Sequence, residues 1–202
     1  MHLLKKLINA TFISKQMVKL NIGCGEKKLP GFINIDIEKK YKPELCFNIS
    51  DISEYSRFTN DSVELIRASH ILEHTNNPEE IMKEWHRMLK PDGIVVLRMP
   101  HFSRGFTNPT HQRGFDLSWP LHFEKDNKYS TYAGVNYRLI NTKLRWIAFL
   151  EHYPCGIATK DGLGLLNTVI NALANLNPYF CTRVWCFWVG GFEEMELQFK
   201  KI

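Results

Sequence analysis

The stretch LNIGCGEKKLPGFINID, residues 20–36, decides the fold. An apolar run enters a turn of Gly23, Cys24 and Gly25, and a second apolar run closes on Asp36, 11 residues after Gly25. A glycine turn lets backbone N–H groups approach a ligand and receive its carboxylate. An acid at the end of the second strand can accept both hydroxyls of a ribose. A dinucleotide fingerprint needs a third glycine and a longer gap to the acid. Here Lys28 stands where that glycine belongs, which disfavours a nicotinamide-dependent oxidoreductase. The stretch asks for a nucleoside without a pyrophosphate.

The pattern continues on both sides. Leu3, Leu4, Leu7, Ile8 and Phe12 share a helical face, so a short amphipathic helix is expected to lead in. MVKLNI and FINIDI are predicted strands, LCFNIS a weaker third and SVELIRAS a fourth. Asn77-Pro78-Glu79-Glu80 then gives a cap, a proline at the first helical position and a glutamate at the third. Ile81, Met82, Trp85, Met88 and Leu89 follow at helical spacing, KPDG is expected to end the helix, and IVVLRMP is a buried parallel strand. LRWIAFLE is predicted as the next strand, LGLLNTVINALANL as a helix, and EMELQFKK as a final antiparallel strand. The alternation implies an α/β sheet whose ligands bind beyond the strands' carboxyl ends. Asp51, after the third strand, is placed to accept from an adenine amino group, with Ile37 and Ile52 able to sandwich the ring. A helix cap in SDISE is the other reading of Asp51, and the two roles are compatible. Together these residues describe a nucleoside carrying an amino acid.

Bulk properties agree with a globular chain. Of 202 residues, 44% are apolar and 23% charged, and the net charge of +5 is spread along the sequence. That is a solvated basic surface, and no nucleic-acid-binding pattern accompanies it. Five cysteines form no CxxC pair, which argues for reduced thiols and a cytoplasmic location. No signal peptide is visible, and the most apolar late stretch, VWCFWVGGF, is far below the ~20 residues that span a bilayer. Peripheral contact with a membrane stays open.

Residues 17–100 resemble the class I S-adenosylmethionine-dependent methyltransferases. LNIGCG is similar to the family's glycine motif, and DSVELIRASHILEHTNNPEEIMKEWHRMLKPDGIVVLRMP to its fourth-strand, helix and fifth-strand block. The resemblance implies a Rossmann-like fold: a seven-stranded, mostly parallel sheet, helices on both faces and an antiparallel last strand. It implies S-adenosyl-L-methionine as cofactor, held by Gly23, Cys24, Gly25, Asp36, Ile37, Asp51, Ile52, Ser69, His70 and Leu72. The first crossover departs from the family, being so short that its helix is cut to a turn or missing. A subset with the pattern GCG…PG(F/W)xNID is shortened in the same way. The expected organisation is one domain over residues 1–202, with a loop or lid insertion at 101–138 and a helical insertion at 153–192.

The acceptor side is less marked. His70 to His74 spell H-x-x-E-H, but the motif directly follows a strand, so a zinc-protease helix is ruled out. Glu73 and His74 are read as ordering that loop, with a metal between them as the alternative; no metal is expected. PHFSRGFTNPTHQRGFDLSWPLHF gathers His101, Arg104, His111, Arg113, Asp116 and His122. Methyl transfer needs an aligned nucleophile and, for a hydroxyl, loss of its proton. His101 and His111 are the catalytic candidates, against a three-histidine metal site with Asp116. Trp119, Tyr129, Tyr132 and Tyr137 are read as core, or as stacking on a sugar. The expected acceptor is a small molecule or a glycan, methylated at oxygen; a non-catalytic binding module is the alternative. The apolar stretch from Leu163 to Phe192 is expected to pack in the core or form a homodimer face, or to meet a lipid-linked acceptor.

Overall fold

A computed structural model describes residues 18–106, 108–124, 127–130, 134–152 and 157–202. The expected lead-in helix, Tyr132 and the side chain of Cys155 lie outside these residues. Seven strands form one sheet in the order β3-β2-β1-β4-β5-β7-β6. They are β1 (Val18–Ile22), β2 (Ile33–Asp36), β3 (Leu45–Cys46), β4 (Val63–Ser69), β5 (Leu89–Pro100), β6 (Tyr137–Arg145) and β7 (Glu194–Lys201). All neighbouring pairs are parallel except those of β7, which runs antiparallel to β5 and β6. The chain winds outward from β1 to β3 and returns to β4, so the order reverses at the β1–β4 pair.

The crossover from β1 to β2 contains no helix. Two buried asparagines take the helix's place. Asn21 Nδ2 donates to Asn34 Oδ1 (2.8 Å) and to the carbonyl of Lys27 (3.0 Å). Asn34 Oδ1 also accepts from Leu29 N at 2.8 Å, and its amide donates to the carbonyls of Leu29 and Phe32. Backbone groups that a helix would satisfy internally are thus paired with side chains. Outside the crossover, Glu44 accepts from Asn34 N and pairs with Lys28; those bonds lower its carboxyl to about 2.

Helix α1 (Pro78–Met88) buries Pro78, Ile81, Met82, Trp85 and Met88, the expected face. Asn77 does not cap it through its side chain, whose amide donates to Ser50 O instead. The helix passes directly into β5 at Leu89, and KPDG forms an irregularity inside that strand, with Asp92 at φ 64.

The sixth strand precedes the expected LRWIAFLE. Its inward residues alternate with exposed Arg138, Asn141 and Lys143, because it is an edge strand paired only with β7. The apolar run after it turns away from the sheet. Helix α2 (Ile157–Ala174) clips that turn with Asn167, Asn171 and, just past its end, Asn175. Their side-chain oxygens accept from Ile147 N (3.1 Å), Trp146 N (2.6 Å) and Leu144 N (2.8 Å). Their four-residue spacing puts them on one side of the helix. The opposite side stays apolar and exposed: Leu165, Leu176 and, in the helical stretch that follows, Phe187 and Trp188. The expected core packing therefore fails for these residues. Among the described residues no helix is long and apolar enough to cross a membrane.

Candidate active site

A cavity of about 410 Å³ lies beyond the carboxyl ends of β1 and β2, a size suited to a small-molecule ligand. Gly23, Asp36, Ile37, Phe47, Asn48, Ile49, Ser50, Ile71, His74, Thr75 and Asn76 line it. Gly23 N and Cys24 N both donate to the carbonyl of Ile35, which folds the turn back on β2. Gly23 has φ +68, and a Cβ there would lie 3.0 Å from Ile71. Both its conformation and its closeness to Ile71 require glycine. Asp36 is buried beneath the turn, accepting from Gly25 N at 2.7 Å and Glu38 N at 2.9 Å. Each carboxylate oxygen keeps a second lone pair for a ligand hydroxyl. Burial, then the nearby Asp36 carboxylate, raises the Cys24 thiol, which makes a poor nucleophile.

The remaining expected cofactor residues divide. Ile37 lines the cavity and is exposed. Asp51 does not line it: its Oδ1 accepts from the amide and hydroxyl of Ser53 and caps the 3-10 helix Ile52–Arg57. Ile52 packs against the core. Phe47 to Ser50 occupy the wall where those two were expected. Leu72 is buried, while Ser69 and His70 line a neighbouring cavity of about 390 Å³, which shares Gly23 and also meets Arg67, Arg98, Phe149 and Glu194. His70 stands at φ 52, with Nε2 2.7 Å from Glu194 Oε2. Burial pulls its pKa down, but the hydrogen bond to Glu194 and the nearby carboxylates of Glu73 and Glu194 prevail and raise it to about 9.

The two catalytic candidates lie in different surroundings. His101 is fully buried, with Nδ1 2.7 Å from Ser103 Oγ and Nε2 2.7 Å from Thr182 Oγ1. Burial lowers its pKa to about 4. Both nitrogens are engaged, and so low a pKa makes a weak base near neutral pH.

His111 does not line the cavity but packs behind His74, which does. The segment that carries it is tied to the loop after β4: Gln112 N donates to Glu73 O (2.8 Å), Gln112 Nε2 to His74 O (3.1 Å) and Arg113 Nη2 to Asn76 O (3.2 Å). The His74 and His111 rings lie edge to face, centroids 4.8 Å apart. Glu73, His74 and His111 are the group of three metal-ligand side chains gathered among the described residues. His101, His122 and Asp116 do not join it. Trp119 packs on Phe115 and Phe123, and Tyr137 is buried with its hydroxyl donating to Met82 O, so neither offers a sugar platform. Exposed Tyr129 lines a third cavity, with Leu117, Leu121 and Tyr179.

Comparison with known proteins bears on the same region. Residues 20–97 match the family model described as a methyltransferase domain. The fold is similar to that of a SAM-dependent methyltransferase from Archaeoglobus fulgidus, with a TM-score of 0.58 and 15% identity, covering 99% of this chain and 94% of that one. A putative methyltransferase from Bacillus halodurans gives a TM-score of 0.53 at 14% identity, covering 98% of each chain. An S-adenosylmethionine-dependent methyltransferase from Mesorhizobium loti gives 0.53 at 10% identity, over 92% of this chain and 91% of that one. No curated protein matches. At these identities the structural likeness speaks for the fold, and the family model for the domain that carries the glycine turn and Asp36. Residues 20–97 thus carry a methyltransferase domain, and the fold around them is similar to that of solved S-adenosylmethionine-dependent methyltransferases.

Proposed function

We propose that the protein transfers the methyl group of S-adenosylmethionine to an oxygen of a small-molecule or glycan acceptor. The observation that carries this reading is Asp36, buried beneath the glycine turn and open to the cavity. In the reaction the acceptor oxygen forms a bond to the methyl carbon while the carbon–sulfur bond breaks, its electron pair staying on sulfur. The hydroxyl proton is lost, and S-adenosylhomocysteine is the by-product. Gly23, Gly25, Asp36, Ile37 and Phe47 to Ser50 are assigned to the cofactor, Asp36 to its ribose. Asp51 is assigned to shaping that wall through its cap.

His111 is assigned to the acceptor side, because it packs against His74, which lines the cavity. His101 is assigned to ordering the turn Phe102–Gly105. The exposed apolar face of α2 and residues 178–188 supports self-association, with contact to a lipid-bearing acceptor as the other use. Incubating the protein with methyl-labelled donor and panels of hydroxylated small molecules and glycans tests the acceptor class. Label found in an ether of either class supports the reading. Label transferred only to nitrogen or to protein contradicts it.

A further inference from the structure

We propose that Glu73, His74 and His111 form a binding site for one divalent transition-metal cation at the edge of the cofactor cavity. One potential ligand atom from each lies within 4.8 Å of the other two. Glu73 Oε1 and His111 Nε2 are 4.0 Å apart. Two ligands on a tetrahedral zinc ion stand roughly 3.4 Å apart, from bond lengths of about 2.1 Å. Small side-chain rotations close that difference.

The hydrogen bonds around the cluster set which nitrogens are available. His111 Nδ1 bonds the carbonyl of Gly105, and a carbonyl only accepts, so Nδ1 carries the proton. His74 Nδ1 faces the carbonyl of Thr110 at 3.3 Å and its hydroxyl oxygen at 3.1 Å. That hydroxyl donates to Asn108 Oδ1, so it too is an acceptor towards His74. Both rings therefore present a bare Nε2 lone pair. Donation of the other ring N–H to a carbonyl is the usual support of a metal-binding histidine.

Glu73 supplies the independent observation. Its side chain is 0% exposed, and neither carboxylate oxygen has a hydrogen-bond partner. His70 bonds Glu194 through Nε2, and its Nδ1 is 3.4 Å from Oε1, a long ion-pair contact that leaves Oε2 with no partner at all. A buried carboxylate with one long ion-pair contact, beside two nitrogen lone pairs, is an arrangement of acceptors short of donors, and burying it is costly unless a cation joins them. Two imidazoles and one carboxylate suit Zn2+ or Mn2+ better than Ca2+ or Mg2+, which favour oxygen ligands. His74 lines the cofactor cavity, so a cation there would face an acceptor's hydroxyl; this last role rests on the methyltransferase reading, whereas the site itself does not.

The test uses Co2+ as a spectroscopic probe on the full chain, stripped with chelator and dialysed. The expected result is a visible absorption that saturates at one Co2+ per chain and is displaced by Zn2+. Affinity should fall at least ~10-fold in Glu73→Gln and in His111→Gln, and stay unchanged in His122→Gln. Far-UV circular dichroism checks each fold, and His74→Gln replaces either variant if that one does not fold. No absorption change in the wild type, or equal affinity in the wild type and the cluster variants, overturns the proposal. Calorimetry of S-adenosylhomocysteine with the metal-free protein runs alongside. Its failure with cobalt bound tightly would refute the cofactor assignment while leaving the cation site standing.

Discussion

Replacing Asn34 with alanine removes the clasp that stands in for the missing first helix. Asn34 Oδ1 accepts two bonds of 2.8 Å, from Asn21 and Leu29 N, and its amide gives two longer bonds of 3.3 Å. The two short bonds contribute about 1 kcal/mol each, and the long pair together about as much as one. Asn21 keeps its bond to Lys27 O, which limits the orphaned groups mainly to Leu29 N. The expected loss is ~2–3 kcal/mol, which lowers Tm by roughly 5–10 °C in a chain of this size. Because the clasp sets the path from the glycine turn to Asp36, affinity for S-adenosylhomocysteine should fall as well. Urea unfolding with and without that ligand reads both effects. A loss under about 0.5 kcal/mol with unchanged affinity would refute the reasoning: the crossover would then be held by something other than its asparagines.

Three further outcomes follow from particular residues. Gly23→Ala meets Ile71 at 3.0 Å and a positive φ, whereas Gly25→Ala meets open space at φ +49. The first should therefore cost ~2–3 kcal/mol and the second ~1 kcal/mol in thermal melts. His101 has a folded-state pKa of about 4, below the unfolded value, so the unfolded chain takes up a proton first as pH falls. Its contribution is full above pH ~6.5 and is lost towards pH ~4, amounting to about 2 kcal/mol between pH 7 and 5. Urea unfolding of wild type and His101→Asn at both pH values should show a shallower decline in the variant, and parallel declines would contradict the assignment. Sedimentation velocity should show self-association that Leu165→Glu with Trp188→Glu abolishes; a monomeric wild type would remove that use of the apolar face.

Legibility in the sequence followed the range of the interactions. The glycine turn, Asp36 and the apolar face of α1 depend on neighbours within a few turns of chain, and their spacing showed them. The missing crossover helix was legible too, because too few residues separate the turn from Asp36. The clasp that compensates for it was not, since Asn21 and Asn34 look like ordinary strand residues until the strands pair. The cap that Asp51 forms with Ser53, two residues on, was legible in SDISE, whereas its place off the cavity wall was not. His111 lies 38 residues beyond Glu73, and the backbone bond from Gln112 N to Glu73 O brings them together. No periodicity encodes that contact. The sixth strand was displaced because an edge strand dilutes its apolar signal, while the denser run after it is spent on a turn held by α2.

Calorimetric titration with S-adenosylhomocysteine, on wild type and Asp36→Asn, tests the central claim most directly. The asparagine keeps the size of the side chain but turns an acceptor into a donor beneath the glycine turn. The loss of charge-assisted bonds, about 1.5–3 kcal/mol, predicts roughly 10- to 150-fold weaker binding in the variant. Saturable binding of one ligand per wild-type chain, weakened by that factor, is the result expected. No binding to the wild type, or equal binding to both proteins, would contradict the assignment of this cavity to the methyl donor.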